Sequence, residues 1–165
     1  LAFAAELGLG VSYQLNSRWL VASEFVWLDQ SHALQAVRLQ ARNPDNAQAP
    51  AELDVTQPLN ADDQTIVSVA FEYQQDERRV WRGGFSHSRT PLQRSAFTPS
   101  LAVVTKNLVT AGYAVELSKA WQFATAIEYQ LPNSERYSNP LQPFGDNARE
   151  YNEAVLVTLQ FSRRW

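Results

Sequence analysis

Apolar side chains recur at every second position along most of the chain, and seldom at the spacing of three or four residues that marks a helix. Between residues 1 and 15 the odd positions are apolar, whereas the even positions are small or polar. Such a segment predicts a β-strand with two unlike faces. The same alternation predicts six more strands, centred on residues 19–29, 65–73, 81–85, 109–117, 121–129 and 155–161.

The connections between these seven strands alternate in length. Segments 16–18, 76–78 and 118–120 are tight polar turns, whereas segments 31–61, 89–106 and 131–149 are long. Short turns at one end and long loops at the other are typical of an outer-membrane β-barrel. A soluble up-and-down barrel or sandwich, whose apolar face covers a core, is the alternative.

Aromatic residues at the ends of the apolar face favour the membrane interpretation, because they predict a girdle at the short-turn end. The expected cross-strand pairs are Leu15 with Trp19, Tyr73 with Trp81, and Leu117 with Trp121. The eight residues from Trp19 to Trp27 span about 27 Å along a strand and about 20 Å along the membrane normal. The opposite face carries Glu6, Glu24, Glu72, Glu116 and Glu128, which suits a polar lumen and equally a water-facing surface.

Composition narrows the function classes further. The 165 residues contain 14 basic and 17 acidic side chains and form no basic stripe, so no nucleic-acid partner is expected. No apolar run approaches the roughly 20 residues of a membrane helix. The absence of cysteine excludes disulfides and thiolate chemistry. Because single-chain bacterial barrels have even strand numbers, seven strands predict that an N-terminal portion is missing or that another chain completes the barrel.

Several segments resemble the FadL-type outer-membrane transporters of long-chain fatty acids and other hydrophobic compounds. They are the stretch from Leu7 to Tyr13, Phe25-Val26-Trp27 before a long loop, the stretch from Val69 to Tyr73, the stretch from Val80 to Ser86 leading to Thr90-Pro91, and the stretch from Leu108 to Tyr113. Terminal Trp165, with Val157, Leu159 and Phe161 on one face, resembles the C-terminal signal read by the barrel-assembly machinery.

The resemblance implies an all-β fold, a transmembrane antiparallel up-and-down barrel. Residues 1–165 would form the C-terminal half of a fourteen-stranded barrel, without the N-terminal strands and plug. The implied function is passive uptake of hydrophobic molecules across the bacterial outer membrane, with no cofactor and no catalysis. Membrane lipid and lipopolysaccharide are the implied surroundings. A general or structural porin-like barrel without a hydrophobic ligand is the alternative.

Arg82 is the first candidate ligand-binding residue, because a cation on the lumen face would hold a fatty-acid carboxylate. A turn centred on Glu77 places Glu72 directly across from Arg82, so a structural ion pair is the favoured role.

The second candidate is the apolar loop segment 91–104, which either receives a hydrophobic ligand or packs on the barrel mouth. Its candidate residues are Leu92, Phe97, Leu101 and Val103. The acidic segment 43–63 is expected to be a solvated extracellular loop, with divalent-bridged contact to lipopolysaccharide left open.

Ser86, His87 and Ser88 invite comparison with outer-membrane hydrolases. Alternation places Ser86 and His87 on opposite faces, beyond hydrogen-bonding reach, so no catalytic pair is expected. His32 and His87 lie beside different long loops, and no metal site is expected.

Overall fold

The computed structural model describes residues 3–42, 45, 52–97, 105–139 and 146–164. Seven strands form one antiparallel sheet in which each strand pairs with its neighbours in the order β1-β2-β5-β6-β7-β8-β9. They are β1 (Glu6–Gln14), β2 (Trp19–Leu28), β5 (Gln64–Gln74), β6 (Arg79–Ser88), β7 (Asn107–Glu116), β8 (Trp121–Tyr137) and β9 (Ala148–Arg163). The predicted all-β, seven-stranded, up-and-down sheet is therefore confirmed.

The remaining regular elements lie in the long connections. Strands β3 (Ala36–Arg42) and β4 (Glu52–Pro58) form a separate hairpin, and a one-turn helix α1 (Gln30–Ala33) precedes it. A 3₁₀ turn covers Arg94–Ala96. Within the described residues no helix is long and apolar enough to cross a membrane.

The strand register keeps odd positions on one face of the seven-stranded sheet, as Ser23↔Val69 and Val69↔Phe85 illustrate. We call this the outer face and the even-numbered face the inner face. Many large apolar side chains on the outer face are exposed, for example 41% for Phe85 and 69% for Val11. A sandwich or soluble barrel would cover this face with a core, so the exposed apolar surface favours contact with lipid.

The tight turns are fixed by side chains at their first position. Asn16 Oδ1, Asp76 Oδ1 and Ser118 Oγ each accept a hydrogen bond from a backbone N–H two residues further on. These donors are Arg18 at 2.9 Å, Arg78 at 3.0 Å and Ala120 at 3.3 Å. Local side-chain acceptors of this kind satisfy turn N–H groups without requiring glycine.

The predicted aromatic girdle is present at the short-turn end. Tyr73 pairs with Trp81 in register, and the Leu15 and Leu117 N–H groups donate to the Trp19 and Trp121 carbonyls, both at 2.9 Å. The rings also contact each other across strands. Centroid distances are 4.6 Å for Trp19 and Tyr73, 4.5 Å for Trp81 and Tyr113, and 4.9 Å for Trp121 and Phe161.

Two predictions about the long connections are wrong. Segment 31–61 is not simply a loop, since β3 and β4 pair over seven residues each. Residues 52–58 are therefore a strand and not part of a loop, although all but one of them are exposed as the prediction of a solvated segment 43–63 expects. Opposite charges stabilise the hairpin in place of a core: Arg38 pairs with Asp54, and Arg42 Nε lies 3.0 Å from Glu52 Oε1.

Segment 131–149 is also shorter as a loop than predicted, because β8 runs on to Tyr137 and β9 starts at Ala148. A register shift between Gln130 and Asn133 places Leu131 and Pro132 opposite Glu153, which is a β-bulge. Proline lacks an N–H donor and fits such an irregularity. Beyond the bulge the even positions of β8 face outward together with the odd positions of β9.

A small loop core fixes the end of this extended ribbon. Phe97 is 1% exposed and meets Tyr137 edge-on at 5.6 Å, with Leu92 and Ala148 packed around them. Buried Asn139 donates from Nδ2 to the Phe97 carbonyl at 2.9 Å. Loop 89–97 is thereby attached to the β8–β9 ribbon.

Candidate functional site

The inner face carries a concave surface of about 480 Å³ near the middle of the sheet. Its inward positions are mostly small or hydroxylated: Ala22, Ala70, Thr110, Gly112, Ala124, Ala126 and Thr158. In register, Gly112 lies between Arg82 and Ala126, and the lining residues come from six strands of the sheet, β2 and β5–β9. Short side chains leave space beside the wall, as a passage requires.

Arg82 and Glu72 are the charged groups at the short-turn side of this surface. They face each other in register, and Arg82 Nε donates to Glu72 Oε2 at 2.8 Å. Arg82 is 56% and Glu72 34% exposed on the inner face. The predicted cross-strand ion pair is therefore present, and it neutralises the cation that a ligand carboxylate would otherwise meet.

Two glycines of β6, Gly83 and Gly84, let neighbouring side chains approach the backbone closely. A Cβ added to Gly83 would lie 2.5 Å from Phe71 Cζ, because the Phe71 ring lies across this glycine on the outer face. A Cβ at Gly84 would lie 3.0 Å from Thr110 Oγ1 on the inner face. The two glycines thus admit an aromatic ring outside and a hydroxyl inside.

At the long-loop end, Glu135 is the centre of a charged cluster with Lys106 and Arg94, which we call the mouth cluster. Its side chain is 13% exposed, pairs with Lys106 and lies 3.2 Å from Arg94 Nη2. The Lys106 hydrogen bond is the main reason that the pKa of Glu135 lies below its ordinary value. The connection between β6 and β7 is attached to β8 at two points here, Arg94 and Lys106, beside a cavity of about 560 Å³ lined by Asp62, Thr90, Leu92 and these charges.

The predicted ligand-binding residues do not form one site. Arg82 lies near the short-turn end of β6, whereas Leu92 and Phe97 follow the opposite end of that strand. Phe97 belongs to the loop core, as the packing alternative expects, and together with half-buried Leu92 it also lines the cavity at the long-loop end. Leu101, Val103 and Trp165 lie outside the described residues.

The serine–histidine segment is arranged as alternation predicts. Ser86 Oγ accepts a hydrogen bond from Ser68 Oγ at 3.1 Å on the inner face. His87 Nδ1 lies 2.8 Å from Asn107 Oδ1 on the other face. His32 contacts Asp29 instead. Across the described part of the chain, no three His, Cys, Asp or Glu side chains are grouped as metal ligands.

Sequence reasoning missed the inner-face lining and the mouth cluster for different reasons. The lining was available from parity, because Thr110, Gly112 and Ala126 occupy even positions. Nothing in the sequence pairs Glu135 with Lys106, which lies 29 residues away in another connection.

Solved structures with the same fold are transporters. The Pseudomonas putida toluene transporter TodX superposes on 97% of this chain with a TM-score of 0.70 at 21% identity. The described sheet has the FadL-type barrel fold. A Pseudomonas aeruginosa FadL homologue gives a TM-score of 0.71 over 96% of this chain at 14% identity, and the Ralstonia pickettii toluene transporter TbuX gives 0.68 over 98% at 17% identity. At these identities the likeness concerns the FadL-type fold alone.

The chain spans about a third of the length of these FadL-type proteins, namely 34% of TodX, 33% of TbuX and 34% of the P. aeruginosa homologue. No protein-family model and no curated protein sequence matches the chain.

Proposed function

We propose that this chain forms part of the wall of an outer-membrane channel that takes up hydrophobic small molecules, such as hydrocarbons or long-chain fatty acids, by diffusion. The observation that supports the proposal is the fold, because the structures of two toluene transporters and a FadL homologue superpose on nearly the whole chain. The exposed apolar outer face between aromatic residues supports a position in the bilayer.

The seven strands supply half of a fourteen-stranded barrel in this proposal. Within the described residues β1 and β9 each pair on one side only. An unpaired strand edge in lipid leaves backbone N–H and C=O groups without partners, each costing several kcal/mol (about 2–7). Strands from outside this chain therefore pair with β1 and β9 in the membrane, and residues 1–165 are one portion of a single barrel domain.

The inner wall is suited to letting a hydrophobic molecule pass and does not anchor it strongly. Small side chains border the concave surface, and the Arg82 charge is already paired with Glu72. A molecule moving past this wall meets methyl and hydroxyl groups and no free cation of the ion pair. Binding that is weak at each position permits release as well as entry.

Uptake by cells tests the function. A strain lacking the complete protein should take up radiolabelled toluene or oleate more slowly, and the complemented strain should recover. Ala126→Trp, which projects into the concave surface opposite Gly112, should slow uptake several-fold. Ile127→Trp adds the same ring to the outer face and is the matched control. Unchanged uptake in the deletion strain contradicts the proposed function.

The polar inner face also favours a second candidate, a general pore for hydrophilic solutes. Glu72, Arg82, Thr110, Thr158 and Gln160 all line the concave surface. Liposome swelling with sugars of increasing size separates the two functions. Rapid sugar entry without any change in toluene or oleate uptake favours the general pore.

A further inference from the structure

The β8–β9 ribbon extends beyond the rest of the sheet and presents an unusual arrangement on its outward side. Arg136 on β8 lies directly opposite Arg149 on β9. Residues opposite each other in an antiparallel pair have Cβ atoms about 5 Å apart, and like charges in that position destabilise the sheet. Both side chains are exposed.

The bulge at Leu131 and Pro132 creates this juxtaposition. Without the one-residue shift, odd positions of β8 would continue to face outward and Glu135 would take that side. With the shift, Arg136 faces outward and Glu135 faces the mouth cluster. The alternation of exposure agrees, since Arg136 and Arg149 are exposed whereas Glu135 and Glu150 are half-buried.

Neighbouring acids do not neutralise the two arginines. Arg149 Nε donates to the neutral Ser134 Oγ at 2.8 Å, and among the described residues Arg136 has no hydrogen-bond or ion-pair partner. Glu153, on the same face, accepts the Tyr129 and Tyr151 hydroxyl groups at 2.7 and 2.5 Å. The pair therefore presents guanidinium donors to an external anion.

The position along the strand indicates where that anion lies. Trp121 lies in the aromatic girdle, and Tyr129 is eight residues further along β8. The register partner of Tyr129 on β9 is Val155, and Arg149 is six residues beyond Val155. At about 3.3 Å per residue and about 40° tilt, the arginines lie about 35 Å along the normal from Trp121. An apolar band of about 25 Å leaves them about 10 Å beyond it, within the polar headgroup layer.

We propose that Arg136 and Arg149 form a binding site for a phosphate group of the phosphorylated glycolipid, lipopolysaccharide, in the outer leaflet. Two guanidinium groups supply planar N–H donors to phosphate oxygens, and the anion relieves the repulsion between them. Tyr129 and Tyr151 lie between the arginines and the apolar face and contact the interfacial part of the same lipid. The site rests on the proposed outer-membrane location and is independent of any transported ligand.

Binding of deep-rough lipopolysaccharide to the complete protein in non-ionic detergent micelles tests this site, with native mass spectrometry as the readout. Replacing both arginines, Arg136→Gln with Arg149→Gln, should weaken binding about tenfold or more at low salt, and raised salt should weaken wild-type binding. The matched control is Arg38→Gln with Arg42→Gln, which removes the same charge from two arginines already paired with Asp54 and Glu52. Retained heat-modifiability confirms that each variant is folded.

Further arms identify the source of the phosphate. Dephosphorylated lipopolysaccharide should bind wild type and variant equally, and millimolar inorganic phosphate should not displace the intact glycolipid. Equal binding of intact lipopolysaccharide to wild type and variant, equal losses in the control, or displacement by inorganic phosphate would each overturn the site. Normal glycolipid binding in a protein that takes up neither toluene nor oleate would instead overturn the proposed function alone.

Discussion

At the level of single residues, the parity of a sequence position decides which surroundings a side chain meets. Val69 faces outward between Ser23 and Phe85, whereas its neighbour Ala70 faces inward between Ala22 and Gly84. The sheet has a single layer, so no core lies between these two environments within the described residues. Substitutions at adjacent positions should therefore differ in energetic cost.

Arginine at Val69 or Val157 should destabilise the assembled barrel by about 2–4 kcal/mol, because a charge near the bilayer midplane is poorly solvated. Arginine at Ala70 should cost far less, since it enters the inner face. Urea unfolding of the complete protein in lipid vesicles measures the difference. Equal losses on both faces would contradict the assignment of the outer face to lipid.

The Arg82–Glu72 pair has its own test at this scale. The Arg82 side chain is 56% and the Glu72 side chain 34% exposed, so solvent screening limits their interaction to about 0.5–1 kcal/mol. A double-mutant cycle with Arg82→Gln and Glu72→Gln should recover coupling of about 0.5 kcal/mol or more. Uptake by Arg82→Gln should stay near the wild-type rate.

If Arg82→Gln abolishes uptake while the barrel unfolds as before, Arg82 anchors a ligand and its structural role is secondary. The Glu72→Gln variant then separates the two roles, because it removes the ion pair but leaves the Arg82 guanidinium available to a ligand.

At the level of elements, the sequence predicted the strands of the seven-stranded sheet well and the structure outside them poorly. In strands β1, β2 and β5–β7 apolar and polar residues alternate, because one face meets an apolar and the other a polar environment. The residue types along each strand therefore indicate which face each side chain occupies. The β3–β4 hairpin carries Val37, Leu39 and Val55 in the same pattern. Its acidic residues, among them Glu52 and Asp54, predict a solvated loop instead.

The extension of β8 and β9 escaped prediction for a different physical reason. The bulge shifts β8 by one residue, so alternation within 121–137 breaks at Pro132. Both faces of the ribbon above the bulge are mostly polar. Hydrophobic periodicity carries no signal there, and the partners of Glu135 come from contacts distant in sequence.

The mouth cluster provides a prediction at this scale. Lys106 and Arg94 stabilise the carboxylate of Glu135 and lower its pKa, so the attachment of loop 89–97 is fully present above the unfolded-state pKa of 4.5. It is lost as pH falls through the lower folded-state pKa. The protection factors for hydrogen exchange in residues 94–97, which allow for the intrinsic slowing of exchange in acid, should therefore fall at strongly acidic pH.

Glu135→Gln should accelerate exchange in the same loop at neutral pH and remove the acid dependence. Glu153→Gln, on the outward side of the same ribbon, is the control and should leave loop 89–97 unchanged. Acceleration by both variants alike would mean that the ribbon as a whole, and not the Glu135 cluster, stabilises the loop.

At the level of the whole molecule, the sheet is open between β1 and β9. Every residue of β1 is exposed, and so are twelve of the sixteen residues of β9, although both strands continue the alternation of the central ones. Exposed edges of long, apolar strands pair with other chains. The proposal that this sheet is part of a larger barrel therefore rests on the two unpaired edge strands and not on the composition of the chain.

The 165-residue chain expressed by itself should consequently fail to form a closed monomer in detergent or lipid. From β1 to β9 there are seven strands, so the two edge strands run the same way, and closing the sheet on itself would need a parallel junction. We expect chains that associate through their edges or stay sensitive to protease, and a heat-modifiable barrel on adding the remaining strands in trans. Size-exclusion chromatography with light scattering and limited proteolysis measure both outcomes. A monodisperse, protease-resistant monomer of this chain alone would contradict the half-barrel proposal, because such a particle has covered both edges without a partner.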